Sequence, residues 1–331
     1  MKKCLTLLLA AGLVSSAASS ASAIDFKAQG EWLVGFAGGQ GNFVDKTRTA
    51  ENGKKKADSS DRFTASQRVR LQLDAVASES LSGTVFFEIG DQTWGSGGTY
   101  GKGSGGAMGA DGVAVEVKNA YIDWMVPDTT LSFRMGIQAL ALPNVAGGSA
   151  VLDDDAAGVT FHMQFNENVG LTGMWARPLN DNYDVQDDDY SGNNKKSYLD
   201  NVDLFALTLP LTFDGIEITP WAMLGMVGSN AFRSGDDYYG SGYGSGIGPS
   251  WYALPAHKAN GTSAYAYGTA FWAGLTGEIT AADPFRLAWS VNYGTFDSGE
   301  EALNRSGWYA SLLAEYKLDW GTPGIYAWYS S

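Results

Sequence analysis

Cysteine is almost absent from this sequence, because the chain carries only Cys4. That residue lies in a leader-like N-terminus, in which the basic start MKK precedes the apolar run CLTLLLAAGLV and the small residues ASA. This arrangement predicts a signal peptide over residues 1–23, cleaved near Ala23. The expected mature chain, residues 24–331, would then hold no cysteine, which excludes disulfide bonds and thiolate chemistry.

Long apolar runs and basic patches are also missing after residue 23. No stretch reaches the roughly 18 apolar residues that indicate a transmembrane helix. Loss of Lys2 and Lys3 with the leader would take the formal net charge from −14 to −16, so we expect no nucleic-acid partner. What the sequence does contain is 43 glycines, 11 tryptophans and 16 tyrosines, a combination that favours a β protein with open loops.

Alternation of apolar and polar residues is the dominant pattern of the remaining sequence. In LSFRMGIQ, Leu131 and Phe133 alternate with Ser132 and Arg134. An extended chain points successive side chains to opposite faces, so one face of this segment is apolar and the other tolerates an arginine. Similar segments predict thirteen strands, at residues 24–36, 68–77, 84–91, 119–126, 131–138, 159–165, 169–177, 202–210, 216–227, 264–280, 285–293, 308–318 and 325–331.

The connections between these segments alternate between tight turns and long glycine-rich loops. The long loops are predicted at residues 37–62, 93–112, 139–158, 178–201, 228–263 and 296–306. The tight turns are rich in Asp, Asn, Pro and Gly, the residues that turns require. An up-and-down meander of this kind has two chemically different ends.

The apolar face favours a membrane barrel over a soluble sandwich. The clearest segments reach the ~9–11 residues that a tilted strand needs to cross hydrocarbon, whereas soluble strands usually have about 5–6. Tryptophans on this face predict aromatic girdles at the membrane interfaces; they are Trp32, Trp124, Trp175, Trp289 and Trp308. Backbone groups in lipid must all be hydrogen-bonded, so the sheet has to close. The sequence therefore predicts an all-β fold, a transmembrane antiparallel up-and-down β-barrel.

Charged residues share the opposite face and would line a lumen. Such groups are tolerated inside a barrel that water fills, which predicts a wide aqueous pore. The predicted lumen residues are Lys27, Arg68, Arg70, Glu88, Asp123, Arg134, Arg286, Glu315 and Lys317.

The sequence contains the start IDFKAQGEWLVGF, the block NAYIDWMVPDTTLSFRMGIQALALPNVAGGSAVLDDDAAGV and the end GTPGIYAWYSS. These segments resemble general bacterial porins, in particular the homotrimeric outer-membrane porins of sulfate-reducing bacteria. The resemblance implies a homotrimer among the lipid and lipopolysaccharide of a Gram-negative outer membrane, and a passive channel for small hydrophilic solutes and ions. It also implies sixteen strands; because only thirteen fit, we expect a chain truncated at its C-terminus, the alternative being that strands within residues 178–280 are merged or miscounted.

The resemblance further implies that the third long loop, residues 139–158, folds into the lumen and narrows it. Its acidic triplet would then face basic wall residues, and the crossed field would select solutes by size and charge. The predicted constriction residues are Asp153, Asp154, Asp155, Arg68, Arg70 and Arg134. Alternatively, the triplet is simply solvated or caps a turn.

Two other functions remain open. Surface Trp and Tyr would suit a secreted β-rich carbohydrate-binding protein. An outer-membrane barrel hydrolase would need His162 or His257, the only histidines, beside a serine and an orienting acid. Nothing in the sequence enforces that geometry, so we expect no enzyme activity. With no thiol and two distant histidines, we also expect no metal site and no cofactor.

Overall fold

We describe the protein from a computed structural model, which covers residues 24–40, 48–49, 55–56, 61–96, 106–108, 115–145, 148–180, 201–228, 258–259, 262–263, 268–299, 301 and 304–331. Within these ranges, no helix is long and apolar enough to cross a membrane. The predicted signal peptide and His257 lie outside the described residues.

The described part of the chain forms β-strands throughout. The strands are β1 (Asp25–Gln40), β2 (Arg48–Thr49), β3 (Lys55–Lys56), β4 (Asp61–Ser78), β5 (Leu81–Thr93), β6 (Val115–Met125), β7 (Leu131–Ala141), β8 (Asp153–Asn166), β9 (Val169–Asn180), β10 (Asn201–Thr208), β11 (Leu211–Phe213), β12 (Ile216–Val227), β13 (Lys258–Ala259), β14 (Thr262–Ser263), β15 (Gly268–Ile279), β16 (Phe285–Ser298), β17 (Arg305–Tyr316) and β18 (Gly324–Ser330). Two small hairpins, β2–β3 and β13–β14, lie within predicted long loops.

The chain divides into two compact units, residues 1–120 and 121–331. The first unit contains β1, β4 and β5, which are hydrogen-bonded in that order. The second unit begins within β6 and continues in the order β7, β8, β9, β10, β12, β15, β16, β17, β18. Each of these strands is a sheet neighbour of the next, and the pairings are antiparallel. This arrangement is the predicted up-and-down meander.

Strands β10 and β11 occupy one position in the sheet, because both pair with β9 on one side and with β12 on the other. The interruption between them contains Pro210, which has no N–H to donate to a ladder. Apart from the two hairpins, the described strands therefore fill thirteen positions, one for each segment predicted from the alternation.

The strands extend further than the alternation predicts. In the predicted loop 139–158, β7 continues to Ala141 and β8 begins at Asp153, and these two residues are paired. The sequences ALA and DDD do not alternate, so their side chains give no strand signal. Antiparallel pairing is made by backbone groups, which continue to hydrogen-bond where the side-chain pattern has stopped. The connecting segment is therefore shorter than predicted and covers residues 142–152; what is said of it below concerns its described residues, 142–145 and 148–152.

Alternation in the second unit separates two faces of the sheet. On β16, Phe285, Leu287 and Val291 are exposed, whereas Ala288 and Ser290 on the opposite face are buried. The exposed apolar set belongs to the face predicted to meet lipid. The apolar core lies on the other face, where it is covered by the segment 142–152.

Candidate functional site: the inner face

The candidate site is one face of the sheet. In the second unit, we call the inner face the one that carries Asp123, Arg134, Ser290 and Glu315, and the outer face the opposite one. In the first unit, taken by itself, we call the inner face the one that carries Arg70 and Glu88, and the outer face the opposite one. These names follow the strand registers and the alternation of side chains along each strand.

The segment 142–152 folds onto the inner face of the second unit. Its Leu142, Val151 and Leu152 are buried in one apolar cluster with side chains from six strands of the meander. The strand members of that cluster include Leu204 on β10, Trp221 and Met223 on β12, Trp272 on β15 and Phe296 on β16. The hydroxyl of Thr276 on β15 also donates to the backbone carbonyl of Pro143, at 3.1 Å. The segment is thus fixed to the sheet by apolar burial and by a hydrogen bond.

The local sequence explains why this segment is buried against the sheet. Full burial of a Leu or Val side chain stabilises a fold by about 1.5–3 kcal/mol, and the segment has such residues at both ends. Within it, the Ser149 hydroxyl accepts hydrogen bonds from the backbone N–H groups of Val151 and Leu152. The side-chain amide of Asn144 donates to the carbonyl of Gly148. These bonds pair polar groups that would otherwise be costly to bury.

The acidic triplet lies in β8 rather than in a loop, and its carboxylates do not share one face. Asp154 is paired with Leu140 and lies on the inner face, whereas Asp153 and Asp155 are paired with Ala141 and Ala139 on the other. Strand alternation causes this separation. The register places Asp154 on the face of Arg134, whereas the Asp153 carboxylate lies against Gly148 of the segment 142–152, and the constriction role of the triplet stays a prediction.

Arg134 and Asp123, both predicted lumen residues, are brought together by the pairing of β6 and β7. Arg134 Nε and Nη2 donate to Asp123 Oδ1 and Oδ2 at 2.7 and 3.0 Å. The guanidinium also lies 4.0 Å from the centroid of the Tyr121 ring. A bidentate ion pair against an aromatic face is a fixed charge arrangement with defined geometry.

A second group of inner-face charges joins three strands of the second unit. Arg286 on β16 donates to Glu315 on β17 and to Glu278 on β15, each at 2.5 Å. Glu278 was not predicted, because the alternation in residues 264–280 is unclear. Lys317, another predicted lumen residue, follows directly after the end of β17. Here one guanidinium holds two carboxylates.

In the first unit, the predicted residues lie on one polar face. Arg70 Nε donates to Glu88 Oε2 at 2.7 Å. Arg68 lies two residues earlier on the same face of β4, and Lys27 on β1 is paired with Asp74. Asp74, which alternation places on the same polar face, was not among the predicted lumen residues; its carboxylate accepts a 2.7 Å hydrogen bond from the hydroxyl of Thr84.

The five predicted girdle tryptophans all lie on the outer face, and Trp289 is the least exposed of them. Trp124 and Trp308 lie near the ends of β6 and β17, whereas Trp32 and Trp175 lie closer to the middle of their strands. The role of these rings in an aromatic girdle stays a prediction.

One outer-face ion pair was missed by the sequence analysis. Arg177 Nε and Nη2 donate to Asp203 Oδ1 and Oδ2 at 2.9 and 3.0 Å, and the indole N–H of Trp175 donates to the same carboxylate at 2.8 Å. The pair lies where β9 and β10 approach the predicted long loop 178–201. Asp203 is at a bulge in the pairing with β9, and such an irregularity cannot be derived from alternation.

His162 lies on the inner face of β8. Its Nδ1 is 3.1 Å from the hydroxyl of Thr172 on β9. A nucleophile activated by this histidine would be a threonine rather than the serine that the hydrolase alternative requires.

The protein is similar in structure to solved outer-membrane proteins. A loop-deletion mutant of OmpT, an outer membrane protein of Vibrio cholerae, matches with a TM-score of 0.50 and 13% identity, over 93% of this chain and 80% of that one. The outer membrane channel DcaP of Acinetobacter baumannii matches with a TM-score of 0.39 and 11% identity, over 94% of this chain and 92% of that one. No family model and no curated protein matches this chain.

The likeness to the OmpT mutant agrees with the strand order and decides the fold class. The protein has the fold of an outer-membrane β-barrel. In a β-barrel, alternate residues of every strand point to the interior. The inner face, with its ion pairs and the inward segment 142–152, is therefore the candidate interior wall. The outer face, with its exposed apolar side chains, is the candidate lipid surface.

Proposed function

We propose that this protein is a channel of a Gram-negative outer membrane, through which small hydrophilic solutes and ions diffuse passively. One observation carries the proposal: ionised side chains share the inner face with a chain segment folded onto it, while large apolar side chains share an exposed outer face. The barrel fold gives this division its meaning, because it assigns one face to an interior and the other to lipid.

The outer face supports membrane insertion. Its exposed apolar residues follow one another along adjacent strands, and they include Phe205, Leu207, Leu224, Met226, Phe271, Leu275, Phe285 and Trp308. A soluble protein rarely exposes a large continuous apolar surface, because each such side chain would be stabilised by leaving water. Hydrocarbon removes that penalty.

The inner face supports an aqueous passage. The pairs Arg134–Asp123 and Arg286–Glu315 are only partly buried, with a quarter to two fifths of each side chain accessible. Charged groups at membrane depth are tolerated where they face a water-filled cavity. We therefore propose that these residues, together with Lys27, Arg68, Arg70, Glu88 and Lys317, contact the permeating solution.

The segment 142–152 supports a narrowed passage. It covers the inner side of β10, β12, β15 and β16, while Arg134 and Asp154 lie on the neighbouring strands β7 and β8. A channel narrowed by a fixed segment selects by size, and charges beside it select by sign. In this proposal, Arg134 and Asp154 set the local field, and Arg68 and Arg70 of the first unit contribute basic wall groups.

The assembly and location form part of the same proposal. We propose export by a signal peptide cleaved near Ala23 and assembly as a homotrimer among outer-membrane lipid and lipopolysaccharide, as the resemblance to porins implies. Exposed outer-face aromatics suit contact with lipid or with a neighbouring subunit equally well. We propose no catalytic role, cofactor or metal.

The direct test is electrical. Protein purified in detergent and added to a planar lipid bilayer should produce stepwise increases in conductance, whereas the same protein boiled beforehand should produce none. Absence of steps at high load from protein that shows β-sheet circular dichroism would contradict the channel. A secreted carbohydrate-binding protein would instead dissolve without detergent and show no heat-dependent change in gel migration.

A further inference from the structure

The inner face of the second unit carries two groups of aromatic side chains. Trp221, Trp272 and Phe296 each expose less than a tenth of their surface, because the apolar cluster with the segment 142–152 covers them. Tyr326 and Trp328 lie on β18, an end strand of the described sheet whose residues are exposed on both faces, and they have 40% and 65% of their surfaces exposed. Aromatic surface on the inner face is therefore covered in one region and uncovered in another.

The uncovered aromatic residues lie beside one another. The phenol oxygens of Tyr309 on β17 and Tyr326 on β18 are 3.0 Å apart, which is a hydrogen bond. Trp328 lies two residues from Tyr326 and on the same face of β18, opposite Ser311. We call Tyr309, Tyr326 and Trp328 the aromatic patch.

The strand registers connect this patch to the inward segment through one row of paired residues. Thr276, whose hydroxyl contacts the Pro143 carbonyl, is paired with Ser290; Ser290 is paired with Ser311, and Ser311 with Trp328. These four residues form one row across β15, β16, β17 and β18. Adjacent strands are about 4.8 Å apart, so Trp328 lies roughly 14 Å along the sheet from the anchor of the segment. A solute that passes the segment would also pass the patch.

The chemistry of the patch indicates its ligand class. Ring faces offer flat apolar surface, and each phenol offers one hydrogen-bond donor and an acceptor. Glu315, on the same face one row beyond the pair Leu313–Tyr326, adds its Oε1 as an acceptor, while its Oε2 accepts from Arg286. A ligand that matches this set has apolar C–H surface on one side and hydroxyl groups at its edge. Sugar rings have this structure, whereas inorganic ions do not.

We propose that the aromatic patch is a carbohydrate-binding site on the channel wall, where sugar rings stack on Trp328 and their hydroxyls bond to Tyr309 and Tyr326. This inference rests on the proposed channel function. It adds a solute class, because a wall of paired charges alone would favour no neutral solute.

The test measures current block by maltohexaose in single channels in a planar bilayer. A polyethylene glycol of equal hydrodynamic radius controls for simple obstruction. We expect maltohexaose to block at lower concentration than the polymer does. Trp328→Leu should weaken this block about tenfold, the size expected for loss of one aromatic stacking contact. Tyr329→Leu removes the adjacent ring on the opposite face of β18 and should leave the block unchanged.

A second measurement does not depend on conduction. Intrinsic fluorescence of the detergent-solubilised protein should respond to maltohexaose, and Trp328→Leu should lose the response while its β-sheet circular dichroism is retained. Equal block by sugar and polymer, or the same block in Trp328→Leu as in the parent protein, would overturn the site while the channel stands. Sugar binding by protein that never conducts would contradict the channel and leave the site.

Discussion

Two regions of the inner face of the second unit differ in whether their side chains are covered or accessible. Under the segment 142–152, the face is apolar and closely covered, with Leu204, Met223 and Trp272 buried. On β6 and β7, the face carries the Arg134–Asp123 pair, and both side chains keep more than a third of their surface accessible. The inner side of a strand is thus not chemically uniform.

The difference shows what determines each region. Where the chain folds back and excludes water, apolar burial stabilises the contact, and a charge there would be costly. Where no chain covers the face, water remains, so ionised groups persist at little cost. The segment 142–152 thus separates a covered region of the inner face from an open one. We expect substitutions in the covered region to change mainly stability, and substitutions in the charged region to change mainly permeation.

The largest expected effect comes from making a cavity in the covered region. Leu204→Ala should lower the free energy of unfolding by about 3 kcal/mol, because Leu204 is 1% exposed and its methyl groups leave a void. Leu207 on the same strand is 54% exposed on the outer face, where lipid chains can fill the space, so Leu207→Ala is the matched control that loses the transfer of methyl groups from water but leaves no cavity, with a smaller loss. Urea unfolding of the refolded protein measures both variants. Equal losses would show that this region is not a core.

Thr276→Val tests the anchor of the segment. The change keeps the shape of the side chain but removes its hydrogen bonds with the Pro143 carbonyl and with the buried Ser290 hydroxyl, so we expect a loss of about 2 kcal/mol. In single channels, the current should become noisier because the segment is held less firmly. Thr269→Val on the outer face of the same strand should change neither quantity. Unchanged noise in Thr276→Val would mean that the apolar contacts alone fix the segment.

Arg134→Gln tests the charged region. Because both partners are substantially accessible, water screens the pair, and the loss of stability should stay below about 1 kcal/mol. The effect should appear in permeation, since loss of a positive charge shifts the reversal potential in a salt gradient towards cations. Arg134→Lys keeps the charge without the bidentate geometry and should shift the potential less. A large loss of stability with no shift in potential would assign the pair a purely structural role.

The strand layout could be predicted from the sequence because alternation is a local property of an extended chain. All thirteen predicted segments coincide with strand positions, including LSFRMGIQ in β7. Strand ends could not be predicted, since backbone pairing continues through ALA and DDD without any side-chain pattern. The inward fold of the loop after β7 came from the resemblance, and the structure places the segment 142–152 on the inner face.

The apolar core on the inner face was not predicted, because a wide aqueous lumen was expected throughout. A signal did exist: alternation is less clean in residues 169–177, 202–210, 216–227 and 264–280, and the strands there, β9, β10, β12 and β15, all contribute side chains to the core. A strand that is buried on one face and exposed to lipid on the other carries apolar residues on both. Irregular alternation in those segments, together with the apolar ends of the loop, indicates where apolar side chains fill the interior.

The smallest expected effect separates neighbours within the acidic triplet. If strand alternation governs which carboxylates reach the permeating solution, Asp154→Asn should shift the reversal potential towards anions, while Asp153→Asn and Asp155→Asn should shift it less. The shift should grow as the salt concentration falls, because a lower ionic strength lengthens the reach of a single charge. Equal shifts from all three variants would mean that the triplet acts as one charge cluster at the strand end, as the loop-based prediction held. A shift from Asp154 alone would show that the inner face continues to the first residues of β8.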